Sequence, residues 1–116
     1  MSEYTIYHNP RCSKSRQTLA ILEEKGIAPN IILYLNSTPN ENELLSIIKK
    51  LGISPRDLLR KGETAYKDQG LSDTSLSDKD LVSAMIEHPK LIERPIVVKG
   101  ERAVLGRPPE NVLELI

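Results

Sequence analysis

The chain has 116 residues, a length at which one hydrophobic core is the usual arrangement. Sixteen Lys and Arg residues balance sixteen Asp and Glu residues, so no overall positive field favours nucleic acid or an anionic membrane. No apolar run approaches the ~18 residues of a membrane span, and the first residues lack the pattern of a secretion signal. We therefore expect a cytosolic, single-domain protein that binds neither nucleic acid nor membranes and acts as a monomer.

Residues that could bind metals are few. The chain has one cysteine, Cys12, and two histidines, His8 and His88. This set excludes an internal disulfide framework and a cysteine-rich zinc site, so we expect no bound metal. Trp and Phe are absent, which predicts an aliphatic core and removes the stacking platforms that single-strand nucleic-acid binders use.

The first third of the chain is predicted to form a strand, a helix and a second strand. Residues 4–8 are rich in strand formers, residues 13–25 contain no helix breaker and are followed by Gly26, and residues 31–35 form a short apolar run. That apolar run predicts a strand buried on both faces of a sheet. The order strand, helix, strand predicts a parallel pair of strands.

Residues from about 38 to 89 are predicted to form a helical insert. Three capping sequences begin at Thr38, Ser54 and Ser77, and each has a carboxylate three residues later. Apolar residues at helical spacing follow, and Gly52 is placed to end the first of these helices. The polar stretch between the second and third starts is expected to be mostly loop.

The end of the chain returns to strand patterns. Residues 96–98 and 102–105 are predicted strands of a hairpin, and a terminal helix is predicted after Pro108. The complete order is βαβ, helical insert, ββα. We therefore expect an α/β fold with a mixed four-stranded sheet, helices on its faces and an inserted helical lobe.

Cys12 is the strongest candidate for chemistry. It lies between a strand end and a helix start, where backbone N–H groups without helical partners and the helix dipole favour negative charge. Such a position lowers the pKa of a thiol and makes it a nucleophile. Arg11, Lys14 and Arg16 add positive charge nearby. The alternative is a buried small hydrophobic residue, which is the commoner fate of a lone cysteine.

Ser15 occupies the position where a second thiol would resolve a disulfide. Its hydroxyl can only offer the Cys12 sulfur a hydrogen bond, so the resolving thiol must come from another molecule. His8 lies four residues before Cys12 at the end of the first strand. If protonated, it would lower the thiol pKa further; the alternative is a partly exposed strand terminus.

Three arginines stand at element boundaries: Arg60, Arg94 and Arg107. Each alone is usually a solvated charge, but planar guanidinium groups together match the paired oxygens of a tetrahedral oxyanion. Pro95 opens a predicted strand directly after Arg94 and is a candidate for a cis peptide bond.

Four sequence blocks resemble, in this order, the glutaredoxin-coupled arsenate reductase family: residues 7–16 (YHNPRCSKSR), 58–61 (LLRK), 93–98 (ERPIVV) and 106–109 (GRPP). The resemblance spans nearly the whole chain. It implies a thioredoxin-like fold with a helical insert and a cis bond at Pro95. It also implies the site residues, with Cys12 as the nucleophile, His8 and Ser15 as tuners of its thiolate, and Arg60, Arg94 and Arg107 as catalytic oxyanion ligands.

The same resemblance implies the reaction and its partners. Cys12 would attack arsenate or a similar oxyanion, with Arg11, Ser13 and Lys14 helping to bind it. Glutathione would act as co-substrate and glutaredoxin as the reductant, with no bound cofactor.

Two departures from the family keep other functions open. Ser13 and Lys14 replace small uncharged residues, and the chain ends at Ile116, where the reductases extend further. The Spx group of regulators, which bind RNA polymerase, shares the fold and often carries a Cys-x-x-Cys switch that Ser15 disrupts here. A glutathione-dependent thiol transferase would need Cys12 but has no use for three arginines.

Overall fold

The computed structural model describes residues 3–116, which form two compact units. The sheet unit consists of the described residues up to Ser37 together with Arg94–Ile116, and the helical unit is Thr38–Glu93. The prediction that these units form one domain with an insert stays a prediction. No helix within residues 3–116 is long and apolar enough to span a membrane.

The sheet unit contains four strands in the order β2-β1-β3-β4. Strand β1 pairs with β2 in parallel and with β3 antiparallel, and β3 pairs with β4 antiparallel, which confirms the predicted mixed sheet. Its elements are β1 (Tyr4–Tyr7), α1 (Ser13–Glu24), β2 (Asn30–Ile32), β3 (Ile96–Lys99), β4 (Arg102–Leu105) and a 3₁₀ helix (Pro109–Leu115).

The strand register gathers three segments at one end of the sheet. Tyr7, the last residue of β1, lies opposite Ile96, the first residue of β3. Ile96 in turn lies opposite Leu105, the last residue of β4. The loop that carries Cys12 and the segments of two candidate arginines therefore leave the sheet at the same end.

The buried residues of the sheet unit are mostly aliphatic, as the composition predicts, and include two tyrosines, Tyr4 and Tyr34. The Tyr4 hydroxyl donates a hydrogen bond to the Leu115 carbonyl oxygen at 3.2 Å and so ties β1 to the C-terminal 3₁₀ helix. Fully burying each aliphatic side chain contributes roughly 1.5–3 kcal/mol to stability. The buried cluster consists of Tyr4, Ile6, Leu22, Val97, Val112 and Leu115.

Strand β2 was predicted to be buried on both faces, and this prediction is wrong. The strand covers only Asn30–Ile32, and 51% of Ile31 and 40% of Leu33 are exposed. The physical reason is topological: β2 is an edge strand whose ladder partner is β1 alone. The predicted terminal helix is likewise a 3₁₀ helix and not an α-helix.

In the helical unit two of the three predicted starts, Ser54 and Ser77, are caps at the predicted residues. Ser77 caps α4 with a reciprocal capping box to Asp80. The first helix begins two residues later than predicted, because Asn40 and not Thr38 is the cap, its Oδ1 accepting from the Glu43 N–H at 2.8 Å. The start at Ser54 leads only into a 3₁₀ turn. The elements are α2 (Glu41–Leu51), a 3₁₀ helix (Pro55–Leu58), α3 (Thr64–Asp68), α4 (Asp78–Glu87) and a 3₁₀ helix (Pro89–Leu91).

Candidate active site

Cys12 is the N-cap residue of α1. Its backbone is extended, with φ −93° and ψ 122°, and its side chain is half-buried. The Cys12 N–H donates to the Asn9 carbonyl oxygen at 3.0 Å, and the Cys12 carbonyl oxygen accepts from the Arg16 N–H at 3.0 Å. These two bonds fix the residue where the first N–H groups of the helix point at its side chain.

The pKa of the Cys12 thiol lies below its usual value. Burial acts to raise the pKa, but the Ser15 N–H, the Arg94 guanidinium and the Lys14 N–H outweigh it because all three stabilise the thiolate. The backbone donors are thus N–H groups of the first turn of α1, as expected for a cysteine at a helix start. The positive charge that lowers the thiol pKa comes from Arg94, which is far from Cys12 in the sequence. The guanidinium of Arg16, which is near Cys12 in the sequence, instead donates to the Pro10 carbonyl oxygen at 2.9 Å.

The Ser15 hydroxyl is engaged away from the sulfur. Ser15 is completely buried, and its Oγ accepts from the Asn9 N–H at 3.0 Å and lies 2.6 Å from His8 Nδ1. The contact of Ser15 with the thiolate is instead made by its backbone N–H. The expected hydroxyl-to-sulfur hydrogen bond is thus replaced by an amide-to-sulfur bond.

His8 is buried rather than a partly exposed strand end. Only 6% of the residue is exposed, and its pKa is lowered by this burial and by the positive charge of Arg16. At neutral pH the ring is therefore neutral, so the structure does not favour a protonated His8 acting on Cys12. Its visible role is to hold the buried Ser15 hydroxyl.

Asn9 was not identified from the sequence, although it makes three of the bonds that shape this loop. Its N–H donates to Ser15, its Oδ1 accepts from the Arg11 N–H at 3.0 Å, and its carbonyl oxygen accepts from the Cys12 N–H. The Asn-Pro pair directly after a strand is the available signal, because an Asn side chain commonly bonds the backbone two residues later in a turn.

Arg94 and Arg107 come together at Cys12. The Arg94 guanidinium bonds the sulfur, and Arg107 Nη1 lies 4.0 Å from Cys12 Sγ and donates to the Arg94 carbonyl oxygen at 3.3 Å. The peptide bond before Pro95 is cis, as predicted, and the bond before Pro108 is also cis, which was not predicted. Both cis bonds occur in an Arg-Pro pair.

Arg60 belongs to the helical unit. Its N–H donates to the Leu91 carbonyl oxygen at 2.8 Å, its Nε lies 3.8 Å from a Glu63 carboxylate oxygen, and its Nη1 lies 3.9 Å from a Glu93 carboxylate oxygen. The guanidinium is therefore paired with acidic side chains of its own unit. A role of Arg60 in oxyanion binding stays a prediction.

The remaining predicted oxyanion ligands are Arg11, Ser13 and Lys14. All three are exposed and lie in the loop before α1 or in its first turn. Of these, Lys14 contributes to the sulfur through its N–H. Their side-chain roles stay predictions. Among residues 3–116, no group of three or more His, Cys, Asp or Glu side chains is placed to hold a metal ion.

Comparison with known proteins agrees with this arrangement. The arsenate reductase of Haemophilus influenzae is 54% identical over 96% of this chain and 97% of its own length. An arsenate reductase of Escherichia coli is 47% identical over the entire chain and 82% of its own length. The solved structure of the arsenate reductase from Vibrio cholerae superimposes with a TM-score of 0.95 at 54% identity over 97% of both chains, and confirms the predicted thioredoxin-like fold. The model of the ArsC family also matches residues 7–115, which is nearly the whole chain. The chain therefore belongs to the ArsC family.

Proposed function

We propose that the chain is an arsenate reductase that converts arsenate to arsenite with the Cys12 thiolate as nucleophile. The observation that carries the proposal is the placement of Arg94 and Arg107 at a sulfur whose pKa is lowered. Two guanidinium groups beside a thiolate suit a tetrahedral oxyanion that must be bound and attacked at the same place. The names of the relatives support arsenate as that oxyanion.

The first step is substitution at arsenic. A lone pair of the Cys12 sulfur forms an S–As bond, and one hydroxyl of arsenate leaves as water after taking up a proton. Arsenic stays in its +5 state. Arg94 and Arg107 offset the charge of the remaining oxygens, and the lowered thiol pKa increases the fraction of Cys12 that is thiolate.

Reduction needs two further thiols, for which we propose glutathione and glutaredoxin. Cys12 is the chain's single cysteine, and the hydroxyl of Ser15 is hydrogen bonded elsewhere, so the thiols come from other molecules. The glutathione thiol displaces a second hydroxyl as water. A glutaredoxin thiolate then attacks the glutathione sulfur, and the electron pair of the broken S–As bond reduces arsenic to +3.

Release completes the cycle. Water cleaves the bond between Cys12 and arsenic and frees arsenite, while glutathione and glutaredoxin leave as a mixed disulfide. Both thiols are kept reduced in the cytosol, which is where we place the reaction. We propose that the enzyme acts as a monomer and that Arg60, Arg11, Ser13 and Lys14 add to oxyanion binding, as the resemblance implies.

The test is arsenate-dependent oxidation of NADPH with glutathione, glutaredoxin and glutathione reductase present. We expect turnover that requires arsenate and each thiol component. Absence of turnover at millimolar arsenate would refute the proposal. In that case activity on a small mixed disulfide would identify a thiol transferase, and co-purification with RNA polymerase would identify a regulator.

A further inference from the structure

The segment that carries Arg107 makes its closest approach to the rest of the sheet unit one residue earlier, at Gly106. The Gly106 N–H donates to the Pro95 carbonyl oxygen at 2.9 Å, next to Arg94. On its other side, Gly106 faces the completely buried Thr18 of α1. Three pieces of the site, namely α1 and the two arginine segments, therefore meet at a residue without a side chain.

There is no room for a side chain at this position. A Cβ on Gly106 would lie 2.7 Å from Pro95 Cγ and 3.0 Å from Thr18 Cγ2, and closer still to Thr18 Oγ1. Carbon atoms in contact prefer separations of about 3.5–4.0 Å. The φ of Gly106 lies outside the positive region, so backbone conformation gives no reason for a glycine here. Close packing is the remaining reason.

Thr18 is held in place by its own helix. Its Oγ1 donates to the Lys14 carbonyl oxygen at 2.8 Å and lies 3.4 Å from the Gly106 carbonyl oxygen. A threonine that bonds the carbonyl four residues earlier has a fixed side-chain rotamer. The surface that Gly106 packs on is therefore rigid and starts one helical turn beyond the N–H groups that face Cys12.

We propose that Gly106 and Thr18 are positioning residues: the missing side chain at Gly106 lets both arginine segments close on α1, and this contact places the guanidinium groups at the Cys12 sulfur. Neither residue touches the reacting atoms. Both residues act through the arginines. The contact positions Arg94 through the hydrogen bond from Gly106 to Pro95, and it positions Arg107 because Arg107 directly follows Gly106 in the chain. The consequence for arsenate binding rests on the proposed function, whereas the consequence for the thiol does not.

The main variant is Gly106→Ala, compared with Gly62→Ala. Gly62 also has no positive φ, and nothing lies within 4 Å of its virtual Cβ, so it matches the chemical change without the steric conflict. In Gly106→Ala we expect the midpoint of iodoacetamide alkylation of Cys12 to move to higher pH, because Arg94 is displaced from the sulfur. We expect the KM for arsenate to rise ~10-fold or more, because displacements near 1 Å in such sites cost up to about 100-fold. Gly62→Ala should match the natural protein in both measurements.

A purely structural role gives a different result. A folded Gly106→Ala protein with a lower melting temperature but an unchanged alkylation midpoint and KM would overturn the proposal. If the natural protein does not turn over arsenate, the alkylation midpoint alone decides, so failure of the proposed function is distinguishable from failure of this inference.

A second pair of variants covers the case in which Gly106→Ala does not fold. Thr18→Val replaces Oγ1 by a larger methyl group against Gly106, and we expect the alkylation midpoint to move in the same direction by a smaller amount. Thr18→Ser keeps the hydroxyl and its bond to the Lys14 carbonyl, so its alkylation midpoint should equal that of the natural protein. Equal midpoints for Thr18→Val and Thr18→Ser would overturn the proposal.

Discussion

Two regions meet at the Cys12 sulfur, and they are held in different ways. The loop from His8 to Ser15 is held mainly by bonds between residues at most seven positions apart, and His8, Asn9 and Ser15 are buried. One longer-range bond, from the His8 N–H to the Ile32 carbonyl oxygen at 2.8 Å, ties the start of the loop to the sheet. The arginine segments reach the sulfur across most of the chain, and Arg107 is exposed. The first region stabilises the thiolate through the backbone N–H groups of Lys14 and Ser15, and Arg94 of the second region adds to this effect. The second region also supplies the guanidinium groups that would bind an anion, and of its two arginines Arg94 is the one that lowers the thiol pKa, so the two arginines should differ in their response to mutation.

The largest effect is expected where both regions act, at the sulfur itself. Cys12→Ser should lower arsenate turnover by about 10³-fold or more, because a hydroxyl at this position is not ionised and is a far weaker nucleophile. The coupled NADPH assay measures this, with circular dichroism as the control for folding. Full turnover in Cys12→Ser would remove the nucleophile from the proposal.

The two arginines should differ from each other. Arg94→Ala removes a group that both stabilises the thiolate and faces the anion, so we expect kcat/KM to fall about 100-fold and the alkylation midpoint of Cys12 to move to higher pH. Arg107→Ala should lower kcat/KM about 10-fold and leave the midpoint nearly unchanged. Arg102→Ala, at an arginine that donates to the Glu114 carbonyl oxygen, is the matched control. Identical responses of Arg94→Ala and Arg107→Ala would contradict this difference between the two arginines.

Ser15→Ala tests the internal region alone. It leaves the Asn9 N–H and the His8 ring without their buried partner, which should cost about 1–3 kcal/mol of unfolding free energy. The backbone N–H of residue 15 remains, so the alkylation midpoint should move less than in Arg94→Ala. Urea unfolding measures the loss, with Ser83→Ala on the exposed face of α4 as the control. A large midpoint shift without loss of stability would show that the hydroxyl, and not the amide, tunes the sulfur.

The smallest effect concerns pH. Because burial lowers the pKa of His8 in the folded state, the unfolded state binds its proton first as the pH falls through ~6.5. Stability should therefore be complete above that pH and decline below it, by at most about 1.4 kcal/mol per pH unit for this one group. His8→Asn should flatten that part of the profile in urea unfolding between pH 7.5 and 5.5. Equal slopes for the two proteins would show that His8 is not the group responsible.

Local features of the site could be predicted from the sequence. Strand β1, the helix start at Cys12 and its exposed amides depend on residues within a few positions of each other, which is the range that capping and strand patterns report. Arg94 and Arg107 could be singled out because both precede prolines at element boundaries. Their meeting at one sulfur follows from the antiparallel pairing of β1 with β3 and of β3 with β4.

The features that escaped prediction depend on partners distant in space. An apolar run such as residues 31–35 does not show whether its strand lies inside the sheet or at an edge, so the exposure of Ile31 was missed. The Ser15 hydroxyl was expected at the sulfur because nothing local shows that His8 and Asn9 reach it first. Gly106 went unmarked, since a glycine required by packing looks in sequence like any loop glycine.

Because Arg107 is exposed, its interaction with an anion should depend on the salt concentration of the solution. The distance over which exposed charges interact, the Debye length, falls from roughly 30 Å at 0.01 M salt to about 3 Å at 1 M salt. Charges buried inside the protein are screened much less. Concentrated salt, and above all other oxyanions such as sulfate or phosphate, would thus compete for the exposed Arg107 guanidinium but leave the backbone N–H groups that stabilise the Cys12 thiolate in place. Arsenate turnover should therefore fall as sulfate or phosphate is added, while the alkylation midpoint of Cys12 stays nearly constant.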